Sequence, residues 1–168
     1  SWTFDLRENV KFHSGKELTA DDVVFSLNYA RDASDDANLW AGEFTLIDDV
    51  KKVDDSTVKI ELSKPWGPLP SYMALFAAAI YPEDFGGHDA EYMATHADGT
   101  GPFKVDSWSK GQSLKLVRND DYWEEGVPKL HSVTFNVVAE DNTRRLQLQG
   151  GQAHIDEEPA PLSMSTMD

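Results

Sequence analysis

The apolar segments of this 168-residue sequence are all short, and turn-forming residues separate each one from the next. Alternation of apolar and polar residues with a period of two predicts strands at residues 2–6, 46–53, 57–62, 103–108, 113–117, 133–137 and 153–155. Helical spacing predicts helices at 19–31 and 142–150, whereas 69–80 fits a short helix or a passage from helix to strand. Short strands joined by tight turns pair antiparallel. The sequence therefore predicts a mixed α/β (α+β) fold that is weighted to antiparallel strand pairs.

The charge balance is strongly acidic, with 30 acidic residues against 15 basic ones and a net charge of −15. Proteins that bind nucleic acids neutralise phosphates with Lys and Arg. This balance therefore argues against DNA, RNA or an anionic membrane surface as a direct partner. It is compatible with a neutral or cationic small ligand and with solubility at high salt, and the sequence leaves both explanations open. No apolar run approaches the roughly 18 residues of a membrane-spanning helix.

No set of residues has the spacing of an established catalytic site. Cysteine is absent, which excludes thiolate nucleophiles, disulfides and Cys-ligated zinc. No serine lies in a Gly-x-Ser-x-Gly turn. Adjacent carboxylates such as Asp21-Asp22 and Glu124-Glu125 are poor acid/base pairs, because neighbours in a strand point to opposite faces, and we expect them on the solvated surface. The sequence predicts a protein that is not an enzyme and needs no cofactor.

One cluster of residues has the side chains of metal ligands, namely His88, Asp89, Glu91, His96 and Asp98. Its spacing lacks the His-Glu-x-x-His pattern that places two imidazoles on one helical face around zinc. An exposed polar helix that leads into a loop is the favoured interpretation. We therefore expect no metal site here.

Two local backbone features are predicted from turn and capping chemistry. In Gly99-Thr-Gly-Pro102 the proline follows at once and no Lys-Ser/Thr is present, so a phosphate-binding loop is disfavoured. A tight turn with positive φ at Gly99 or Gly101 is expected instead. Thr19 precedes an apolar helical pattern and is expected to cap the helix with its hydroxyl.

Trp40 follows a polar stretch and precedes Ala41-Gly42, which places its indole on a loop. An aromatic side chain on a loop can cover a bound ligand. The alternative is that Trp40 packs beneath the loop as part of a satellite core. The pattern alone leaves both interpretations open.

Four segments occur in an order that identifies a family by resemblance. They are Ser1–Leu27, with Leu-Thr-Ala-Asp-Asp-Val-Val-Phe-Ser at 18–26, then Gly99–Phe103, Arg118–Trp123 and Thr143–Asp156. Together they resemble the extracellular solute-binding proteins of family 5, the peptide- and nickel-binding receptors of ABC importers. The resemblance implies a non-catalytic, two-lobed clamshell of the periplasmic-binding-protein type II class. It also implies that 1–97 is the small subdomain of the first lobe, that 98–168 begins its main ligand-binding part, and that the second lobe lies outside this chain.

The resemblance further implies a ligand site. Trp40 aligns with a loop aromatic that covers the ligand in nickel-type members, and Ala77 stands where those members carry an Arg for the metal's chelator. That departure favours a short peptide or another organic solute over nickel. We expect ligand contacts from Trp40, Phe76, Ala77 and Ala78, and no resident metal. The implied receptor is periplasmic or extracellular, with a lipid anchor as one mode of attachment, and it delivers solute to an ABC permease in the membrane.

Two other functions stay open on the sequence. A receptor of the same family for nickel or another metal chelate is one of them, and a non-catalytic protein-interaction module is the other. Binding of a nickel chelate would identify the first. An interaction module would give no ligand response at Trp40.

Overall fold

The computed structural model describes residues 1–32 and 41–159, and its mixed α and β composition confirms the predicted fold class. The strands are β1 Trp2–Asp5, β2 Ile47–Asp54, β3 Thr57–Leu62, β4 Phe103–Ser109, β5 Ser113–Arg118 and β6 Ser132–Asn136. The helices are α1 Ala20–Asp32, α2 Leu69–Tyr72, α3 Ala90–Met93 and α4 Asp141–Gln149, and 3₁₀ turns lie at Ala41–Phe44, Phe76–Ala78 and Glu83–Gly86. No helix in the described ranges is long and apolar enough to cross a membrane.

The chain divides into two compact units. Residues 1–105 with 117–131 form the first, and 106–116 with the chain from 132 onward form the second. The predicted boundary between residues 97 and 98 separates two parts of the first lobe of a longer protein, and it stays a prediction.

The first sheet has the strand order β1-β3-β2 and is antiparallel throughout. Alternation along its strands turns Val50, Val58 and Ile60 inward, where each is at most 3% exposed. Helix α1 contacts this sheet and contributes Val23 and Leu27 to the same apolar cluster. Burial of each such side chain stabilises the fold by about 1.5–3 kcal/mol, so this cluster is the core of the first unit.

The start of α1 differs from what was predicted for it. The Thr19 hydroxyl donates to Asp22 Oδ2 at 2.9 Å, and the Thr19 amide donates to the same oxygen at 2.8 Å. The Asp22 carboxylate therefore accepts from Thr19, which is the reciprocal half of a capping box. The Thr19 hydroxyl is a donor here, so its predicted role as an acceptor is wrong. Asp22 is 0% exposed, so a solvated position is also wrong for Asp22, although it holds for Asp21. Consecutive residues on a helix point about 100° apart, which turns one of the two carboxylates inward.

The loop at 98–102 does not use the left-handed conformation predicted for its glycines. Positive φ occurs at Gly15, Gly86, Gly87, Gly111, Gly126 and Gly151, and not at Gly99 or Gly101. Hydrogen bonds to neighbouring segments hold the loop instead. His13 Nε2 and Asn119 Nδ2 both donate to the Gly101 carbonyl, at 3.0 and 3.1 Å, and the His13 amide donates to the Gly99 carbonyl at 2.8 Å. Asn119 is only 3% exposed, so the loop is fixed by a buried side chain rather than by glycine backbone freedom.

The second sheet has the order β4-β5-β6, and the predicted helix at 142–150 is confirmed as α4. Arg144 on α4 donates to the Val138 carbonyl at 2.9 Å and pairs with Asp141 at 3.2 Å. The strand predicted at 153–155 does not form. The amides of Gln152 and Ala153 donate back to the Gln147 carbonyl, at 2.8 and 3.1 Å. With Gly151 at a φ of 69°, these bonds cap the end of the helix where the sequence pattern predicted an extended segment.

Candidate functional site

The structure places three of the four predicted ligand residues on one 3₁₀ turn, Phe76–Ala78, and Trp40 lies outside the described residues. Phe76 is 72% exposed, whereas Ala78 is 7% exposed and belongs to the core. Ala77 is partly buried and packs against that core. Of the three, Phe76 presents a large surface, and the Ala78 methyl group faces the interior.

The backbone around this turn explains why Phe76 and Ala78 point in different directions. Leu75 is extended at φ −72° and ψ 147°, and Ala79 leaves the turn at φ −58° and ψ 138°. Within it, the Ala78 amide donates to the Leu75 carbonyl at 2.9 Å and the Ala79 amide to the Phe76 carbonyl at 3.1 Å. A 3₁₀ turn has three residues per turn, so residues two apart point about 120° from each other. Phe76 is therefore exposed when Ala78 packs inward.

Helix α1 holds the chain that follows this turn. The Tyr81 amide donates to Ser26 Oγ at 2.8 Å, and the Glu83 amide donates to Asp22 Oδ1 at 2.7 Å. Ser26 is 1% exposed and donates its own proton to the Asp22 carbonyl at 2.7 Å. Asp22 and Ser26 are four residues apart and therefore share one helical face. Two buried polar side chains on that face fix the segment 81–83 by its backbone amides.

The Asp22 carboxylate is the electrostatic centre of this arrangement. Its Oδ1 accepts from Lys16 as well as from the Glu83 amide, and its Oδ2 accepts from Thr19. Burial acts to raise the pKa of the Asp22 carboxyl, but hydrogen bonds from Lys16, Glu83 and Thr19 outweigh burial and the pKa lies below its usual value. The carboxylate is therefore ionised at neutral pH and acts as a structural acceptor rather than as a proton donor.

An aromatic cluster packs around Phe85, which follows this segment. The Phe85 ring meets Phe25, Tyr29 and Tyr81 edge to face, at centroid distances of 5.0, 5.1 and 5.6 Å. Phe85 has a φ of 50°, a left-handed conformation that is rare for a bulky residue. The favourable geometry of these ring pairs, worth about 0.5–1.5 kcal/mol each beyond burial, offsets that backbone strain and holds the segment against α1.

The histidine cluster forms a stack of rings. Tyr92 lies between His88 and His96, with centroid distances of 3.9 and 4.0 Å and interplanar angles of 14° and 5°. Two imidazoles that ligate one zinc ion bring their nitrogens within about 4 Å of each other, and the intervening tyrosine ring prevents this. Within the described ranges, no group of three or more His, Asp or Glu side chains is placed to hold a metal ion.

A recess of about 450 Å³ lies in the first unit, and its lining does not include Phe76, Ala77 or Ala78. The loop 118–129 forms it, with Arg118, Tyr122 and Lys129 among its lining residues. Trp123 also lines the recess, and the Arg7 guanidinium stacks over its ring at 4.1 Å. The lining is charged and comes from one loop, so we do not assign the ligand site to it.

Sequence reasoning missed the residues that position the turn. Ser26 stands in the middle of a helical pattern and gave no signal of its own. Asp22 is predicted at the solvated surface because adjacent carboxylates make a poor acid/base pair, and that criterion does not indicate burial. Both lie in Thr-Ala-Asp-Asp-Val-Val-Phe-Ser at 19–26, within the first of the four segments that carry the resemblance, and the structure gives these residues a physical role.

Comparison with known proteins identifies a family for the whole chain. Residues 1–168 match the family described as bacterial extracellular solute-binding proteins, family 5 Middle. The glutathione-binding protein GsiB of Shigella flexneri is 33% identical over 170 residues, which cover 99% of this chain and 32% of that protein. The oligopeptide-binding protein AppA of Bacillus subtilis is 37% identical over 163 residues, which cover 92% of this chain and 29% of that protein. The chain thus spans about a third of the length of these curated relatives.

Solved structures agree with this assignment. AppA of Bacillus subtilis in complex with a nonapeptide superimposes with a TM-score of 0.76 at 35% identity, covering 89% of this chain and 31% of that one. MoaA of A. tumefaciens R10 in complex with mannopinic acid gives a TM-score of 0.82 at 33% identity, covering 90% of this chain and 30% of that one. The described fold therefore corresponds to one part of a periplasmic binding protein.

Proposed function

We propose, from the premise that this chain belongs to the bacterial extracellular solute-binding proteins of family 5, that it forms part of the substrate-binding receptor of an ABC importer. The receptor captures a short peptide or a similar organic solute outside the cytoplasmic membrane. It passes the solute to a membrane permease, and a lipid anchor is one way to keep it at the membrane. It binds its ligand without chemical change.

The match of the family over all 168 residues carries this proposal. Relatives at 33% and 37% identity are named for binding glutathione and oligopeptides, and both of these ligands are peptides. The Thr-Ala-Asp-Asp segment, the Gly-Thr-Gly-Pro loop and the buried Asn119 all have structural roles, and none of them is arranged as a nucleophile with its base.

Within the receptor, we assign Phe76 to the ligand surface. Phe76 is 72% exposed on a turn whose following segment is hydrogen-bonded to α1, and a rigid aromatic side chain supplies contact area at low entropic cost. Trp40 is assigned to the same surface by its alignment in the family. Ala77, where nickel-type members carry Arg, leaves no cation there to hold a chelator's carboxylates.

Calorimetric titration of the full-length receptor tests the proposal. The panel is glutathione, a neutral tripeptide, a nonapeptide, mannopinic acid and a nickel chelate. We expect a peptide to bind and to be recovered intact, and we expect Trp40→Ala or Phe76→Ala to weaken binding by roughly 1–3 kcal/mol. Tyr92→Ala, which removes another exposed aromatic ring, is the matched control and should leave the affinity unchanged.

Three results would overturn parts of this proposal. Cleavage of a bound peptide would make the protein an enzyme. Tight binding of the nickel chelate without peptide binding would change the ligand class. Unchanged affinity in both Trp40→Ala and Phe76→Ala would remove the site assignment while leaving the receptor role in place.

One observation favours a second ligand class. MoaA, at 33% identity, was solved with mannopinic acid, which is an organic acid rather than a peptide. We rank this class second, because the relatives at 33% and 37% identity are both named for binding peptides. Binding of mannopinic acid with no response to the peptides would reverse the order.

A further inference from the structure

We propose that Ser26 and Asp22 are positioning residues for the ligand-contacting turn Phe76–Ala78. They touch no ligand, but they fix the backbone that follows the turn, so that helix α1 sets how Phe76 is presented. This inference rests on the proposed function, because it assumes that Phe76 contacts the solute.

The side chains of Ser26 and Asp22 are both buried. Ser26 is 1% exposed and Asp22 is 0% exposed. A buried polar group is costly unless it is fully hydrogen-bonded. A helix that packed by its apolar face alone would be served by Ala or Leu at these positions, so the polar residues require an account of what they bond.

Both side chains accept hydrogen bonds from backbone amides that follow the turn. Ser26 accepts from the Tyr81 amide at 2.8 Å, and Asp22 accepts from the Glu83 amide at 2.7 Å. Both donors are backbone amides of the chain that follows the turn, which is extended at Ala79, and their acceptors are side chains of α1 rather than carbonyls of a helix. Without the two acceptors, these partly buried amides would either need a water molecule as acceptor or move.

These hydrogen bonds lie close to Phe76 along the chain. Ala78 is held in the core, and only Ala79 and Ile80 separate it from the bonded amide of Tyr81. On the other side of the turn, the Leu75 amide donates to the Tyr72 carbonyl at 3.0 Å. Because the chain is bonded on both sides, the 3₁₀ turn has little freedom to rotate about its axis. Loss of the Ser26 bond releases one end and lets the exposed ring of Phe76 change direction, which reduces the preorganised contact with a ligand.

A double-mutant cycle in the full-length receptor tests the proposal with the peptide that binds most tightly from the panel above. Ser26→Ala keeps a small residue with high helix propensity and removes the acceptor. We expect it to weaken binding about fivefold, and to have no further effect when Phe76 is already Ala, because coupled residues are non-additive. Val23→Ala lies on the core face of the same helix and is the matched control. It lowers stability, and its effect on affinity should be the same with or without Phe76.

Amide hydrogen exchange of the unliganded receptor supplies a measurement that needs no ligand. Ser26→Ala should speed exchange at 77–83 by roughly tenfold or more relative to exchange in β3, which reports global unfolding. Val23→Ala should speed amide exchange at 77–83 and in β3 by the same factor. A selective increase in Ser26→Ala supports the positioning role.

The outcomes separate this inference from the proposed function. If Phe76→Ala weakens binding but Ser26→Ala leaves affinity unchanged, or acts additively with it, positioning is refuted and the receptor role stands. If exchange at 77–83 does not rise selectively in Ser26→Ala, positioning is refuted whatever the ligand results. If no member of the panel binds, the proposed function fails, and positioning of a ligand surface fails with it.

Discussion

Replacement of Asp22 by Asn should destabilise the first unit strongly, although the two side chains have nearly the same shape. The carboxylate is 0% exposed and accepts from four donors: Lys16, the Thr19 amide, the Thr19 hydroxyl and the Glu83 amide. An asparagine keeps one acceptor oxygen and puts an NH₂ group where the other oxygen was. At least two donors then face a donor instead of an acceptor.

The magnitude follows from the partners that are lost. Hydrogen bonds to a charged group contribute about 1.5–3 kcal/mol each. The neutral amide is less costly to bury than the carboxylate, which offsets part of that loss, and the side chain of Lys16 is 43% exposed and can regain water. We expect Asp22→Asn to lower the free energy of unfolding by about 3 kcal/mol, in the range for breaking a buried charged contact.

Chemical denaturation of the full-length protein, followed by circular dichroism, measures this loss. Asp21→Asn is the matched control, because the Asp21 carboxylate is 43% exposed and pairs with Lys52 at the surface. Exposed pairs contribute about 0–1 kcal/mol, so this variant should be nearly neutral. Equal effects in the two variants would refute the central role of the buried carboxylate.

The pH dependence gives an independent check on the sign. The folded-state pKa of Asp22 lies below its ordinary value of 3.8, so its contribution is complete above about pH 5 and is lost as the pH falls through the folded-state pKa. Asparagine does not titrate. The difference between wild type and Asp22→Asn should therefore be constant from pH 7 to about 5 and should shrink below pH 4. A difference that grew on acidification would contradict this reasoning.

Three further outcomes are expected. Asn119→Ala should cost about 1–3 kcal/mol in denaturant unfolding, because a 3%-exposed amide that bonds the Gly101 carbonyl is removed; a neutral result would show that this bond does not hold the loop. Gly101→Ala should change stability by less than about 1 kcal/mol, since the φ of Gly101 is not positive and a Cβ there meets no atom within 4 Å. Gly87→Ala should cost about 1 kcal/mol or more, because the φ of Gly87 is 87°. The reverse order of melting temperatures would contradict the backbone assignment. Phe76→Ala should leave the melting temperature within about 2 °C of wild type because the ring is 72% exposed, so a large drop would place the ring in the core.

Much of the local structure was predictable because it depends on residues close together in the chain. Period-two alternation located β1, β2 and β3, and helical spacing located α1 and α4, with bounds close to those observed. The resemblance carried by four ordered segments identified the family that the full-length match confirms. Alternation failed at 153–155, because a strand forms only where another strand offers its backbone groups, and those residues bond to the end of α4 instead.

The candidate site shows where local rules reach their limit. Trp40, Phe76, Ala77 and Ala78 were predicted together as ligand residues, and this stays a prediction. Trp40 lies outside the described residues. Nothing in Phe-Ala-Ala indicates which side chain faces outward. That choice depends on how the 3₁₀ turn is rotated, and the rotation is set by the packing of Ala78 and by amides bonded to α1.

By itself, the sequence determined the secondary structure along most of the first unit, the mixed fold class and the family, since these follow from short-range periodicity and from ordered motifs. Only the tertiary structure decided that Asp22 is buried while Asp21 is exposed, that Ser26 accepts a hydrogen bond from a residue 55 positions away, and that φ is not positive at Gly99 and Gly101. Each of these depends on which distant backbone groups come within hydrogen-bonding distance when the helix packs on the sheet. A buried polar side chain is selected by its partners, and its partners exist only in the folded chain.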